Sequence, residues 1–97
     1  MSVVFFSDTP NVTRDLVERV SGFVNEHLGG SPPDGSLVHA DGPTDGGGWW
    51  SFELFESEAQ FTRFNEGILT PAFVQAGMNP PAFRRLEVAW DSTQVPG

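Results

Sequence analysis

Hydrophobic and polar positions change period several times along this chain, and each change marks an element. Residues 3–6 are β-branched and aromatic and predict a short buried strand. Asp8-Thr9-Pro10-Asn11 breaks it. Thr13 is then placed to cap a helix, with Asp15 in the first turn where the dipole favours negative charge. Leu16, Val20, Phe23, Val24 and Leu28 recur at helical spacing and form one apolar stripe. Gly29-Gly30 ends the helix, because glycine accepts left-handed geometry.

After the turn-rich Ser31-Pro32-Pro33-Asp34-Gly35, residues 37–40 predict a second strand and residues 49–55 a third. The glycine-rich stretch between them, residues 42–48, reads as a long hairpin loop. Ser57-Glu58-Ala59-Gln60 fits a capping box ahead of Phe61 and Phe64. Gly67 and Thr70-Pro71 interrupt that periodicity. The expectation is a helix to about residue 66 and a kinked second piece opened by Pro71 and closed by Gly77. Residues 83–90 predict the last strand, followed by a polar tail that frays. The order β-α-β-β-α-β is the ferredoxin-like split motif, an α+β fold with a four-stranded antiparallel sheet, in a single domain over residues 1–97.

Period two divides the third strand. Trp49, Ser51, Glu53 and Phe55 share one face, and the wholly apolar Trp50, Phe52 and Leu54 share the other. If the hairpin sets Asp41 opposite Trp49, then Leu37 and His39 join the Trp49/Glu53 face, although a one-residue slip would move every side chain across. His39 and Glu53 are then either an acid/base pair, with the carboxylate fixing the imidazole tautomer, or a structural hydrogen bond between strands. Arg85, paired with Glu53 or Glu87, either anchors a ligand oxygen or forms a buried ion pair. Trp49 and Trp50 are candidates for an aromatic wall or for core, and Ser51, Phe55 and Phe64 join them as candidate substrate-binding residues. His27, near the end of the first helix, reads as a cation suited to that terminus.

Composition narrows the choices. Thirteen acidic against five basic residues, net charge −8, leave too little positive charge to neutralise nucleic-acid phosphates or to dock on an anionic membrane. There is no cysteine, which removes disulfides, thiolate catalysis and sulfur-ligated zinc. The two histidines show no ligand spacing, so no metal site is expected, and neither a phosphate loop nor a dinucleotide fingerprint is present. No signal peptide or apolar run of membrane-spanning length is visible, so a cytoplasmic location is expected. A chain this small buries only about 60–65% of its unfolded surface, so a second copy sharing buried area would help it.

The run Gly47-Gly48-Trp49-Trp50-Ser51-Phe52-Glu53-Leu54-Phe55-Glu56-Ser57-Glu58-Ala59-Gln60-Phe61 resembles the dimeric α/β-barrel superfamily, and more narrowly its antibiotic-biosynthesis-monooxygenase-like branch. Ser36-Leu37-Val38-His39-Ala40-Asp41-Gly42-Pro43 is similar to the preceding strand of such proteins. The resemblance implies a homodimer that pairs as an α/β barrel and acts without cofactor, as a monooxygenase or cyclase, on an aromatic or polyketide-like molecule. In it Trp49 or Trp50 matches the family's tryptophan, Arg84 or Arg85 its arginine and His39 the histidine of the cyclases; the expected roles are His39 as proton-transfer group, Glu53 as its orienter, Arg85 as the stabiliser of an enolate or phenolate, and Trp49 and Trp50 as the substrate's walls. Haem-degrading relatives carry a ligand histidine on the second helix. No histidine lies between Ser57 and Gly77, so haem is not expected, and the tyrosine used by related oxygenases and cyclases has no counterpart in this tyrosine-free chain. A non-catalytic, ligand-binding or accessory dimer of the same fold is the other reading.

Overall fold

The computed structural model describes residues 2–89. Trp90 and the polar tail lie outside the described residues. Strand β1 (Val3–Thr9) leads to helix α1 (Arg14–Leu28), then to the hairpin of β2 (Ser36–Thr44) and β3 (Gly48–Phe55). Helix α2 (Glu58–Phe64), a π-helical turn (Asn65–Leu69) and helix α3 (Thr70–Gln75) form one helical arm, and β4 (Arg84–Glu87) closes the chain's described part. The sheet runs β2-β3-β1-β4 with every neighbouring pair antiparallel, which is the ferredoxin-like α+β arrangement expected from the element order.

Local signals account for most boundaries. Thr13 Oγ1 accepts the Leu16 amide (3.3 Å), and Gly29 ends α1 at φ 62°. Ser57 Oγ accepts the Gln60 amide (3.2 Å) and donates to Gln60 Oε1 (2.8 Å), holding the start of α2.

Four boundaries differ from the sequence reading. β1 runs through Asp8 to Thr9, because β3 is long enough to pair it as far as Trp49. β2 likewise continues through Gly42-Pro43 to Thr44, leaving a turn of three residues where a seven-residue loop was expected. Proline is tolerated there because β2 is an edge strand. Glycine at 42 lets the Trp50 ring lie close, since a Cβ would sit 3.0 Å from Trp50 Nε1. The helical arm is not interrupted at Pro71, since the π-turn carries it through. In the described part β4 is only four residues long, shorter than the strand expected over residues 83–90.

The core lies under α2 on one face of the sheet. Phe5 stacks on Phe61 with centroids 3.9 Å apart, Phe61 meets Phe55 and Phe83 edge-on, and Phe55 is wholly buried. The opposite face carries Val4, Phe6, Val38, Trp50, Phe52, Leu54 and Leu86, as the strand register fixes. None of the described helices packs on that face.

Candidate functional site

Register decides which side chains meet. Asp41 lies opposite Ser51, not Trp49, so the hairpin is shifted by two residues from the expected pairing. An even shift keeps every side chain on its face. His39 therefore still shares a face with Glu53, and now lies directly across from it. Leu37, two residues before His39 and beside a bulge between Ser36 and Val38, also lines the cavity described below.

That face looks toward the helices. Between it and α1 lies a cavity of about 690 Å³, within the range of small-molecule sites. Val17, Val20, Val24 and Leu28 of α1 form its apolar roof, an arc of the helical stripe that also builds the core. The floor is polar: Ser7 from β1, Ser51 and Glu53 from β3, His39 and Asp41 from β2.

The floor groups form a hydrogen-bonded chain. His39 Nδ1 bonds Glu53 Oε1. His39 Nε2 donates to Asp41 Oδ2 at 2.6 Å, and Trp49 Nε1 donates to Asp41 Oδ1 at 3.0 Å. The Arg14 guanidinium, at the start of α1, sits 5.5 Å above the Trp49 ring, a cation–π contact that holds the indole at the cavity's rim. Glu53 is buried, with its side chain 6% exposed, whereas the His39 side chain is 54% exposed. The chain of bonds thus runs from the cavity floor to solvent.

Two carboxylates around one imidazole set its charge. The hydrogen bond to Glu53 contributes most, desolvation opposes it, and the His39 pKa is pushed up to about 9. At neutral pH His39 is an imidazolium with both N–H groups engaged. Burial raises the Glu53 carboxyl above its ordinary value, and the bond to His39 works against that rise. Only Oε1 of Glu53 is bonded among the described residues, and Glu53 lines the cavity. The atom free to meet a ligand is therefore on the carboxylate, not on the imidazole.

The other sequence candidates divide. Trp49, Ser51 and Phe64 line the cavity. Phe55 points the same way but is sealed into the phenylalanine core, against Phe61 and Phe64. Trp50 lies on the other face of the sheet, over Gly42. Arg85 meets neither Glu53 nor Glu87: β1 separates β4 from β3, and Phe5 stands between Arg85 and Glu53 in the register. Its Nε donates instead to Glu58 Oε1 (2.7 Å) at the start of α2, with both side chains about half exposed. His27 Nδ1 meets the Phe23 carbonyl at 2.9 Å, a helix-end role as expected. Asp41 was not singled out from the sequence, although the alternation His39-Ala40-Asp41 places it on the same face. Among the described residues no cluster of metal-ligating side chains occurs, and no helix is long and apolar enough to cross a membrane.

This pairing of a covered polar strand face with an apolar helix roof defines a small α+β domain with a ligand-sized cavity. Among solved structures the chain is similar to Rv0793 from Mycobacterium tuberculosis, at 14% identity and a TM-score of 0.62, with 95% of this chain and 99% of that one covered. It is also similar to the NE2512 protein of unknown function from Nitrosomonas europaea, at 13% identity and a TM-score of 0.70, covering 99% and 95%. These likenesses are of fold alone. No family model matches the sequence, and no curated protein matches it.

Proposed function

We propose that this chain is a cofactor-independent enzyme of the dimeric α/β-barrel type, akin to the antibiotic-biosynthesis-monooxygenase-like branch. In this reading it is a cytoplasmic homodimer acting on an aromatic or polyketide-like small molecule, as a cyclase or a monooxygenase. The observation that carries the reading is the Glu53–His39–Asp41 chain along the floor of an apolar cavity of about 690 Å³. Both reaction types begin by removing a proton from an activated carbon or phenol. Glu53 is the base: buried, raised in pKa, lining the cavity, and bonded to His39 through Oε1 alone. The His39 imidazolium, held by Asp41, orients it, and Glu53 gives the proton on to water entering the cavity. These roles reverse the assignment drawn from the sequence, because both nitrogens of His39 are already bonded. Trp49 holds the flat substrate at the rim, and the Ser51 hydroxyl, on the same face, is placed to receive its oxygen.

A second copy completes the reading. The open sheet face carries apolar side chains on all four strands, from Val38 through Trp50 and Phe6 to Leu86, with Asp8 and Arg84 as its charged residues, and another copy's open face would cover it isologously.

The test uses 2-tetralone, a neutral bicyclic ketone with an acidic C–H, in D₂O. Metal-free, flavin-free protein should accelerate deuterium incorporation beside the carbonyl, and Glu53→Gln should abolish the acceleration. Oxygen uptake on an electron-rich phenol would select monooxygenase; an isomeric or dehydrated product without uptake would select cyclase. If the ketone binds but gains no deuterium, the chain is a binding dimer instead, a reading that the doubly bonded His39 also favours.

A further inference from the structure

The arm that walls the cavity on its far side carries one residue too many for an α-helix. Its buried positions are Phe61, Phe64, Leu69, Ala72 and Ala76, at spacings of 3, 5, 3 and 4. An α-helix repeats at 3 and 4. The spacing of five falls on the π-turn Asn65–Leu69, where the Thr70 amide bonds the Asn65 carbonyl five residues back. The Thr70 hydroxyl also reaches Asn65 Oδ1 (3.4 Å), so side chains as well as backbone span the turn. Removing one residue there would restore spacings of 3, 4, 3 and 4 and leave every other buried position in phase.

The two residues flanking the extra one, Phe64 and Leu69, both line the cavity, and Phe73 one turn further on lines it too. Gly67, inside the turn, is exposed, and a Cβ there would meet nothing within 4 Å. A side chain at that position would therefore point into open space. What the extra residue does is spread Phe64 and Leu69 along the cavity wall by one residue's rise, about 1.5 Å in a helix. Turns of this kind occur mostly as single insertions and frequently at functional sites.

We propose that the π-turn is the size-determining element of the cavity: the additional residue spaces Phe64 from Leu69 so that the pocket admits a ligand wider than two fused rings. This rests on the cavity being the ligand site, as proposed above. It concerns the far wall only and is independent of the chemistry on the floor.

The experiment compares wild-type protein with a variant lacking Gly67, using two neutral ketones, the bicyclic 2-tetralone and the tricyclic 9-fluorenone, with binding read by calorimetry. Wild type should bind both. The deletion variant should keep the helical signal and the bicyclic ketone within about threefold, and should lose the tricyclic ketone by tenfold or more, about the discrimination one ring-edge misfit can supply. A folded deletion variant that binds both ketones as wild type does would overturn the proposal while leaving the cavity reading intact. Wild type that binds neither ketone would overturn the cavity reading, and this inference with it. Should the deletion variant not fold, hydrogen exchange on the wild-type protein decides. Saturating 9-fluorenone should slow exchange of the Thr70 amide, and an unchanged rate would count against the turn touching the ligand.

Discussion

On β3, Trp49, Ser51 and Glu53 look toward the helices while Trp50, Phe52 and Leu54 look away from them, so neighbours in sequence sit in unlike surroundings. The helix-facing side is roofed by α1 yet carries the polar chain of Glu53, His39 and Asp41. The other side is largely apolar, with Asp8 and Arg84 as its charged residues, yet has no helix over it. In an isolated domain one expects the reverse, with apolar residues covered and polar ones wet. The inversion teaches two things. A polar group kept under a helix must be satisfied, and here it is satisfied by other members of a chain that ends in solvent. An apolar face left bare awaits another surface, and the proposed second copy would supply one with the same chemistry.

The hardest way to break this comparison is at Glu53. Replacing Glu53 by Gln keeps the shape and removes the charge, so the proposed proton abstraction should fall by about 10²- to 10⁴-fold. The same change should bring the His39 pKa down from about 9 toward its ordinary 6.5, because the Glu53 hydrogen bond is the largest cause of its rise. A histidine-resolved NMR titration separates the two effects, with His27 as an internal reference on another element. A His39 that still titrates near 9 would mean that Asp41, not Glu53, sets its charge.

The bare face is tested by Phe52→Asp. On a face that stays wet, an aspartate costs little. Against a second copy it buries an unpaired charge, about 3–5 kcal/mol, enough to weaken association by two orders of magnitude or more. Sedimentation equilibrium at micromolar concentration should show wild type as a dimer and the variant as a monomer with unchanged helical signal. A monomeric wild type would refute the covered-face reading directly.

A finer probe is pH. The folded chain holds the His39 proton more tightly than the unfolded chain does, since its pKa is raised from 6.5 to about 9. The stability this contributes is complete below about pH 6.5 and is lost as pH climbs through 9. Glu53, also raised, acts in the same direction at lower pH: ionising it costs the folded state more than the unfolded one. Because His39 is half exposed, solvent screening discounts the effect to about 1 kcal/mol, or about 5 °C in Tm. Wild-type Tm should fall between pH 6.5 and 9.5 and that of His39→Gln should stay level. Parallel curves would place the pH dependence elsewhere.

How much of this could be read beforehand follows from the range of each signal. Element order was legible because Thr13, Gly29 and Ser57 act on their own helix ends, within a few residues. The face of His39 was legible because strand alternation survives an even slip, whereas the register itself was not, since the glycine-rich stretch hid where pairing stops. Arg85 was misplaced because its partner depends on strand order and on the N-terminus of α2, both far away in sequence. Val20 and Val24 were legible as an apolar stripe but not as a cavity roof, since a helix has the same pattern over a core or over a void. The spacing of five between Phe64 and Leu69 was visible in the sequence all along. It was obscured by Gly67 and Pro71, which read as breaks rather than as an added residue.

The smallest expected effect belongs to Arg85, and it matters because of where the residue does not reach. Arg85 lies on the helix-facing side of β4, the same side as Glu53, but Phe5 of β1 stands between them in the sheet. Its bond to Glu58 spans two side chains that are each about half in water. Such a pair contributes about 0–1 kcal/mol and is weakened by salt. Arg85→Ala should therefore lower Tm by no more than a few degrees and leave ketone binding and deuterium exchange unchanged. Loss of exchange with folding intact would show that Arg85 turns into the cavity when ligand is bound. The polar floor would then be built from four strands rather than three, and the arginine would take the anion-stabilising role that its sequence position first suggested.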